Sequence, residues 1–478
     1  MISDQKRSSY TTAFVVIVFT FFFWGFVAAS NGVLIPMFKK NFALTQFQSQ
    51  LVDSAFYLAY FVGSLIYLII STAFGDPLNK IGYKNGLIIG LIVSACGALL
   101  FVPAVDAVSY GLFLSGLFII GLGFALLQIV ANPFVINLGD PANGSSRLNL
   151  AGGINSLGTT IGPVLLAYAL YGKVVPGKGE ILGLGNLKVP YVGLAVVLVA
   201  LAIIIAIVKM PFIKNEEKIE KGAGVFRYPQ LTLGMLAIFI YVGTEVTIQS
   251  NLGALLQLPD IKGIDHTMVD KYISLYWGSL MIGRMSSSLN TFKLSSSAKA
   301  VLSIIVPYAV FGIILFFNKL RGADVHDMYI YAIWIALFIV VKYIGQEKPS
   351  KTLVLFGVAA MVFMIVGLCT HGDVALFSFI SGGLFCSVMW PCIFNLAIAG
   401  LGKYTNQGSS LLIMMILGGA VIPPLQGKLA DMPSIAGIHL SYVVPLAGFA
   451  FLAYYGFIVR RILQKQGIDY DANIGAGN

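Results

Sequence analysis

The stretch NPFVINL, residues 132–138, returns as WPCIFNL at residues 390–396. Both copies lie inside long apolar runs, and both keep a proline and an asparagine four residues apart. The offset between the two copies is 258 residues. A segment duplicated in this way predicts that the chain is built from two related halves.

Two further matches support the duplication. NGSSRLNL at 143–150 resembles QGSSLLIM at 407–414, shortly after the first pair of copies. Earlier in each half, YFVGSLI at 60–66 resembles LYWGSLM at 275–281, with an offset of 215 residues. The offset therefore grows by 43 residues between these two points, which predicts an insertion in the second half.

The composition predicts a membrane protein with helical spans. The chain is 58% hydrophobic and only 10% charged, with a mean hydropathy of +0.88, whereas soluble domains are about 25% charged. Apolar runs of about 20 residues recur along the chain, and each is long enough to cross a bilayer as a helix. The fourteen runs cover roughly residues 12–35, 49–74, 84–105, 110–138, 148–171, 190–210, 229–257, 269–291, 298–318, 327–345, 351–370, 374–399, 407–426 and 438–463.

The charged residues divide the spans into two groups. Lys and Arg collect in alternate loops, which predicts that both termini are cytoplasmic. The only long charged linker, 211–228, follows six runs and separates a bundle over 1–210 from one over 229–478. An extra hairpin at about 298–345 accounts for the insertion. We therefore expect an all-α polytopic protein with the major facilitator fold, two six-helix bundles plus an inserted hairpin, and 14 spans in total.

Several span sequences resemble the fucose permease family of sugar–cation symporters, within the major facilitator superfamily. They are FFFWGFVAASNGVLIPMF at 21–38, ANPFVINLG at 131–139, RLNLAGGINSLGTTIGP at 147–163 and YVGTEV at 241–246. The last, YVGTEV, resembles the glucose/galactose branch of the family more than the fucose permeases. The resemblance implies cation-coupled uptake of a hexose or deoxyhexose, similar to glucose, galactose or fucose, by alternating access.

The sequence departs from the family at two acidic positions. Proton-coupled fucose permeases carry one acid in the first span and another in the fourth, and these positions correspond to Gly32 and Gln128 here. Only Asp53 and Glu245 are acidic and lie inside spans away from their ends. Carboxylates at such positions are costly, and they mark ion pathways. We predict that Glu245 couples transport to H⁺ or Na⁺, with Asp53 as the second candidate; a helix contact for Glu245 and a helix cap for Asp53 are the alternatives.

Polar and aromatic side chains within the spans are candidate sugar contacts. Amides and carboxylates bond hydroxyl groups, and aromatic rings pack on the apolar face of a sugar. The alternative is that they join helices to one another. The predicted contacts are Asn31, Gln128, Asn132, Asn149, Tyr241, Gln249, Trp277, Trp390 and Asn395. Arg147 and Arg284 lie at cytoplasmic span ends and are predicted gate residues, with a purely topological charge as the alternative.

Other functions fit the sequence less well. No G-x-x-x-x-G-K-[ST] motif is present, which argues against ATP as the energy source, and the scattered acids and histidines argue against an enzyme such as a membrane-embedded sugar transferase. The net charge of +10 reflects the basic loops, so we expect no nucleic acid partner. An exporter of drugs or lipids is the main alternative. We expect a monomer in the bacterial inner membrane, surrounded by lipids, with no cofactor except the coupling ion and no intramembrane metal.

Overall fold

Each of the fourteen apolar runs forms helix in the computed structural model. A bilayer offers no water to the backbone, so a spanning segment must satisfy its own N–H and C=O groups, and a helix does this within one segment. The described residues form helices and turns, without a strand. The structure describes residues 4–44, 46–139, 143–172, 183–211, 224–264, 269–292, 294–345, 348–432 and 437–468.

The helices follow the predicted runs closely. The α-helices are α1 (Asp4–Asn41), α2 (Gln46–Phe74), α3 (Pro77–Leu99), α4 (Phe101–Asp106), α5 (Tyr110–Asn137), α6 (Gly144–Tyr171), α7 (Lys188–Ile207), α8 (Pro229–Ser250), α9 (Leu252–Gln257), α10 (Asp270–Ser286), α11 (Ser296–Leu320), α12 (Ala332–Gly345), α13 (Pro349–Cys369), α14 (Gly372–Ile380), α15 (Gly382–Cys386), α16 (Met389–Ile398), α17 (Thr405–Met414), α18 (Gly418–Ala430), α19 (Gly437–Leu440) and α20 (Val443–Lys465). The described 3₁₀ turns are Leu184–Leu187, Gly224–Arg227, Leu289–Thr291, His326–Tyr331, Gly402–Tyr404 and Met415–Leu417.

The span count agrees with an all-α polytopic membrane protein. Within the described residues, 13 helical segments are long and apolar enough to cross a membrane. The remaining predicted run, 269–291, is formed by α10, which has 17 residues, and by the 3₁₀ turn Leu289–Thr291. The predicted fold class is confirmed on this point.

Several predicted runs are interrupted rather than continuous; the run at 407–426, for example, is divided into α17, the 3₁₀ turn Met415–Leu417 and α18. The run predicted at 374–399 is divided into α14, α15 and α16 and is almost entirely buried. In α3 the chain kinks at Gly82, where φ is 78° and ψ is 159°. Glycine adopts this positive φ without strain, whereas a side chain would clash with the backbone.

The chain forms two compact units. Unit 1 comprises Met1–Gly139, Ile154–Val225 and Leu401–Met414, and unit 2 comprises Asp140–Gly153, Phe226–Gly400 and Met415–Asn478. Each unit thus contains one short segment from the other half of the sequence. These two segments include the two copies of the second repeat, 143–150 and 407–414. The predicted domain boundaries around the linker 211–228 stay a prediction.

The inserted hairpin, α11 and α12, packs along α10 within unit 2. Near one end of α10, the Asn318 amide donates to the Ser274 hydroxyl at 3.0 Å. At the other end, the buried Lys342 ammonium bonds the carbonyl and the hydroxyl of Ser286, at 2.5 and 2.8 Å. A cation at this position complements the negative end of the helix dipole of α10.

The repeat explains where the hairpin packs. In unit 1, Gly63 on α2 lies so close to α5 that a Cβ atom would come within 2.9 Å of the Ala125 methyl. The matching residue of the second half, Gly278 on α10, lies even closer to α11, where a Cβ would be 2.4 Å from Ile314 Cδ1. The hairpin therefore occupies the face of α10 that corresponds to a packed face of α2.

Candidate functional site

Glu245 lies on α8 with its carboxylate enclosed by two side chains. Tyr241 is one turn earlier, and its hydroxyl donates a hydrogen bond to Glu245 Oε2. Arg284 on α10 brings Nη2 to 3.7 Å from the same oxygen. The side chains of Glu245 and Arg284 are each only 12% exposed. Tyr276 on α10 also contacts Glu245, through its backbone carbonyl. We refer to Tyr241, Glu245, Tyr276 and Arg284 as the Glu245 cluster.

Arg284 is also fixed by contacts with other parts of unit 2. Its Nε donates to the Ser387 carbonyl, between α15 and α16, at 3.2 Å. Its Nη1 is 3.5 Å from the Gly152 carbonyl on α6, and its Nη2 is 3.5 Å from the Tyr241 hydroxyl. The planar guanidinium presents several donors in a fixed arrangement, so one side chain contacts three other segments at once.

Aromatic residues surround the cluster. The Tyr276 hydroxyl donates to the backbone carbonyl of Glu245 at 2.6 Å. The ring of Trp277, next in the chain, packs edge-on against Tyr276, with centroids 5.6 Å apart. Trp390 on α16 lies 6.1 Å from the Tyr241 ring. The structure thus brings together four of the predicted site residues, Tyr241, Glu245, Arg284 and Trp390, with Trp277 beside them.

This arrangement can respond to a change of charge on one carboxylate. Glu245 and Arg284 form a shielded ion pair, in which each charge compensates the burial of the other. If Glu245 is neutralised, Arg284 becomes a buried cation without its carboxylate partner, which is costly. Spacing along the chain does not predict this pair, because the two residues lie on different helices. The predicted gate role of Arg284 stays a prediction.

A different set of polar residues lies within unit 1. Gln128 and Asn132, here called the α5 amide pair, are one turn apart on α5 and are 1% and 0% exposed. The Asn132 amide donates to the Gln128 backbone carbonyl at 2.9 Å. The side-chain oxygens of both residues are buried without a hydrogen-bond partner among the described residues.

Tyr60 on α2 faces the same region. Its hydroxyl lies near the side chains of Gln128 and Trp24. The hydroxyl makes no well-formed hydrogen bond to any described residue. Tyr60 is 2% exposed. Tyr60 could not be recognised from the sequence, because a tyrosine in an apolar run, YLAYFVG, is typical of ordinary packing. Tyr60 and the α5 amide pair are therefore three buried residues of unit 1 with unused hydrogen-bonding capacity.

The other predicted site residues are less closely grouped. Gln249 is half-buried on α8, one turn beyond Glu245. Asn395 donates to the Ser145 hydroxyl at 2.8 Å, and Asn149 is buried with a side-chain oxygen that lacks a partner among the described residues. Arg147 is buried. The side chains of Asn31 and Asp53 lie outside the described residues, so their predicted roles stay predictions.

Comparison with known proteins places the chain in a family. Residues 13–423 match the model of the Major Facilitator Superfamily. The chain belongs to this superfamily. It is 34% identical over 463 residues to the glucose/galactose transporter of Brucella abortus biovar 1, covering 95% of each protein. It is 27% identical over 472 residues to the L-fucose-proton symporter of Escherichia coli K12, covering 94% of this chain and 93% of that one.

Solved structures agree with this assignment. A crystal structure of the E. coli fucose:proton symporter FucP has a TM-score of 0.72 and 25% identity, covering 94% of this chain and 99% of that one. A second FucP structure, described as outward in conformation, has a TM-score of 0.71 and 26% identity. The major facilitator fold and the resemblance to the fucose permease and glucose/galactose transporter families are confirmed.

Within this superfamily fold, Asp76 is a residue that sequence analysis did not select. It lies in GDPLNKIGYK and caps α3 by accepting from the Leu78 N–H at 2.9 Å. The Tyr67 hydroxyl also donates to Asp76, and the Asn406 amide donates to it at 2.6 Å. Asp76 therefore links three segments of unit 1. The signal was the Asp-Pro pair, which is typical of a helix start.

Gln407 is a second residue that was missed. It lies on α17 in unit 1, is 0% exposed, and has both side-chain amide atoms without a partner among the described residues. A buried amide with no partner costs free energy unless another group satisfies it. The signal was its place at the start of the repeated segment 407–414.

Proposed function

We propose that this protein is a secondary active transporter that takes up a hexose or deoxyhexose together with a cation by alternating access. The names of its relatives, a glucose/galactose transporter and an L-fucose-proton symporter, support the sugar class. We place it in a bacterial inner membrane as a monomer, with both termini in the cytoplasm. The coupling ion, H⁺ or Na⁺, is the only small group that the mechanism requires beside the sugar.

The observation that carries the coupling mechanism is the ion pair of Glu245 with Arg284. A cation that neutralises Glu245 removes the attraction at 3.7 Å between the two side chains. Arg284 keeps its bond to the Ser387 carbonyl, so the loss of the ion pair acts directly between α8 and α10. Ion binding thereby weakens the attraction between α8 and α10.

The position of Arg284 favours a proton over sodium. A second cation held at Glu245 would lie within a few ångströms of the guanidinium, and like charges at such a distance repel strongly in a shielded environment. A proton neutralises the carboxylate without adding a separate positive centre. We therefore expect H⁺ to be the coupling ion, although the acids of the proton-coupled relatives are replaced here by Gly32 and Gln128.

We assign the sugar contacts in unit 1 to the α5 amide pair and to Tyr60. Their buried oxygens accept hydrogen bonds, and sugar hydroxyls are donors of the right kind. Binding a ligand that satisfies these acceptors recovers the free energy that their burial costs. An apolar cargo, such as a drug or lipid, would leave them unsatisfied, which favours a sugar.

Uptake by purified protein in liposomes tests the proposal. Radiolabelled glucose, galactose and fucose are supplied in turn, with an inward proton gradient or an inward sodium gradient applied separately. We expect accumulation of at least one of these sugars above its equilibrium level with the proton gradient, and only equilibration with the sodium gradient. Accumulation with sodium alone would overturn the choice of ion. No uptake of any of the three sugars, by protein that is folded and correctly inserted, would overturn the substrate class.

A further inference from the structure

Two histidines and an aspartate from three separate connections come together in unit 2. Asp260 lies in the turn after α9, His371 lies between α13 and α14, and His439 lies in α19. One side-chain ligand atom from each residue lies within 4.8 Å of the others. These residues are not part of the Glu245 cluster. By the topology that the sequence predicts, all three lie on the outer side of the membrane, and none lies in the middle of an apolar run.

The connections that carry these residues are held together by other contacts. The backbone N–H of Gly372 donates to the Asp260 carbonyl at 2.9 Å, so the first two connections are joined through their backbones. His371 Nε2 is 3.4 Å from Asp260 Oδ2. The rings of His371 and His439 lie 5.4 Å apart. The three side chains are therefore neighbours because of the fold, and not because of their spacing in sequence.

One ring nitrogen of His439 is engaged by a backbone carbonyl, which leaves the other nitrogen as the candidate ligand. Its Nε2 lies 2.8 Å from the Gly367 carbonyl, an acceptor, so this nitrogen carries the proton. The other nitrogen, Nδ1, then keeps a free lone pair. A hydrogen bond from the second ring nitrogen to a carbonyl is the arrangement that orients metal-binding histidines in proteins. Phe379 packs edge-on against the same ring, at 5.7 Å, and limits its rotation.

Lysines in the same part of unit 2 are paired with carboxylates. Lys262 is two residues after Asp260 in the sequence. Its ammonium lies 2.6 Å from the Asp373 carboxylate and 3.6 Å from that of Asp327. Asp327 also accepts from Lys271 at 2.8 Å. Three carboxylates, including that of Asp260, thus accompany two ammonium groups. Because Lys262 is engaged by Asp373 and Asp327, its charge is largely compensated.

We propose that Asp260, His371 and His439 form a binding site for a divalent transition metal ion, with Zn²⁺ as the reference ion. Two imidazoles and one carboxylate are a ligand set that zinc uses in sites with one open position. Tetrahedral coordination brings ligand atoms to about 3.4 Å from one another, so each side chain moves by about 1 Å. The exposure of His371 and Asp260, 62% and 50%, leaves room for that movement.

The ligand types select the kind of ion. Imidazole nitrogen suits Zn²⁺, Cu²⁺ and Ni²⁺, whereas Mg²⁺ and Ca²⁺ take mainly oxygen ligands. A bound ion would join the connections after α9, after α13 and before α20 through its bonds to three side chains. Metal binding therefore stabilises this end of unit 2, because a ligand that binds only the folded state raises its stability.

Calorimetric titration of the full-length protein in detergent with ZnCl₂, near neutral pH, tests the site. We expect one Zn²⁺ per chain, and no binding of Mg²⁺ or Ca²⁺ at the same concentrations. His371→Ala and His439→Ala should each weaken binding by at least about 10-fold, which is the low end for the loss of a group that supports a metal. His326→Ala is the matched control, because His326 packs against Tyr329 and lies outside the cluster. It should keep the affinity of the parent protein.

A thermal melt with and without Zn²⁺ provides a second readout that needs no transport activity. Zn²⁺ should raise the Tm of the parent protein and of His326→Ala, and leave the Tm of the His371→Ala/His439→Ala double variant unchanged. The proposal is wrong if the parent protein binds no Zn²⁺, or if the double variant binds it as tightly as the parent. Stronger binding of Ca²⁺ than of Zn²⁺ would also overturn it.

Discussion

The Glu245 cluster in unit 2 and the α5 amide pair in unit 1 differ in whether their buried polar groups have partners within the protein. In the Glu245 cluster the charges are compensated within the protein, by Arg284 and by the Tyr241 hydroxyl. In the α5 amide pair two buried oxygens have no partner among the described residues. A compensated charge suits a switch that an ion operates, whereas uncompensated acceptors suit a ligand that donates hydrogen bonds. This difference is the basis on which we propose that coupling belongs to one region and sugar recognition to the other.

The largest expected effect comes from removing the cation of the Glu245 cluster. Arg284→Met leaves the Glu245 carboxylate buried without its partner, at a cost of about 3–5 kcal/mol. We expect a clearly lower Tm in detergent and loss of gradient-driven uptake. The matched control is Arg321→Met, because Arg321 pairs with Asp270 at 3.8 Å on the surface and such pairs contribute about 0–1 kcal/mol.

The double variant Glu245→Gln/Arg284→Met sharpens this result. Removing both charges leaves neither one unpaired, so the Tm should recover much of the loss seen for Arg284→Met alone. Uptake driven by the gradient should not recover, because the carboxylate is absent. If Arg284→Met alone keeps the Tm and the accumulation of the parent protein, the ion pair does not have the role assigned to it.

Tyr241→Phe should have an intermediate effect on coupling. It removes one hydrogen bond to a charged group, which contributes about 1.5–3 kcal/mol. We expect partial loss of gradient-driven accumulation, with less effect on exchange of sugar across the membrane without a gradient. Tyr276→Phe is the matched control, because its hydroxyl bonds the Glu245 backbone carbonyl and not the carboxylate. Equal loss of accumulation in both variants would contradict the assignment.

Gln128→Leu tests the other side of the comparison. It removes a buried acceptor that we assign to the sugar, which should weaken binding by about 1–3 kcal/mol and raise KM roughly 5- to 150-fold. The ratio of ions to sugar transported should stay unchanged. Asn137→Leu is the control on the same helix, since Asn137 is exposed and its amide bonds the Pro133 carbonyl at 2.8 Å. An unchanged KM in Gln128→Leu would remove Gln128 from the sugar site.

The smallest effect concerns the inserted hairpin. Lys342→Met keeps the apolar stem but removes the charge at the end of α10, which contributes about 0.3–2 kcal/mol. We expect a modestly lower Tm and transport close to that of the parent protein. Lys319→Met, in the exposed last turn of α11, should leave the Tm nearly unchanged. A Tm loss as large as that of Arg284→Met would show that the hairpin matters more than its contacts indicate.

Much of the fold was predictable because the membrane restricts the choice of structure. An apolar run must become a helix when no water is available to its backbone, so the run count and the inserted hairpin could be read from the sequence. The division of the run 374–399 into α14, α15 and α16 was not predicted. Apolar composition indicates that a segment lies in the membrane, but it does not specify where close packing interrupts a helix.

The site was predictable only where one helix carries it. Tyr241 with Glu245, and Gln128 with Asn132, are one turn apart, and helical periodicity places each pair on one face. The contact between Glu245 and Arg284 depends on how α8 packs against α10. Helical periodicity along the chain does not specify that packing. The same holds for Asp260, His371 and His439, which lie in three connections that only the tertiary fold brings together.

The most direct test of the division of roles is a side-by-side assay of Glu245→Gln and Gln128→Leu in liposomes. Each variant is measured for proton-driven accumulation and for counterflow, the exchange of labelled for unlabelled sugar without a gradient. We predict that Glu245→Gln loses accumulation but keeps counterflow, and that Gln128→Leu, at saturating sugar, keeps accumulation with a raised KM in both assays. Full accumulation by Glu245→Gln would contradict the central claim that this carboxylate couples transport to the ion.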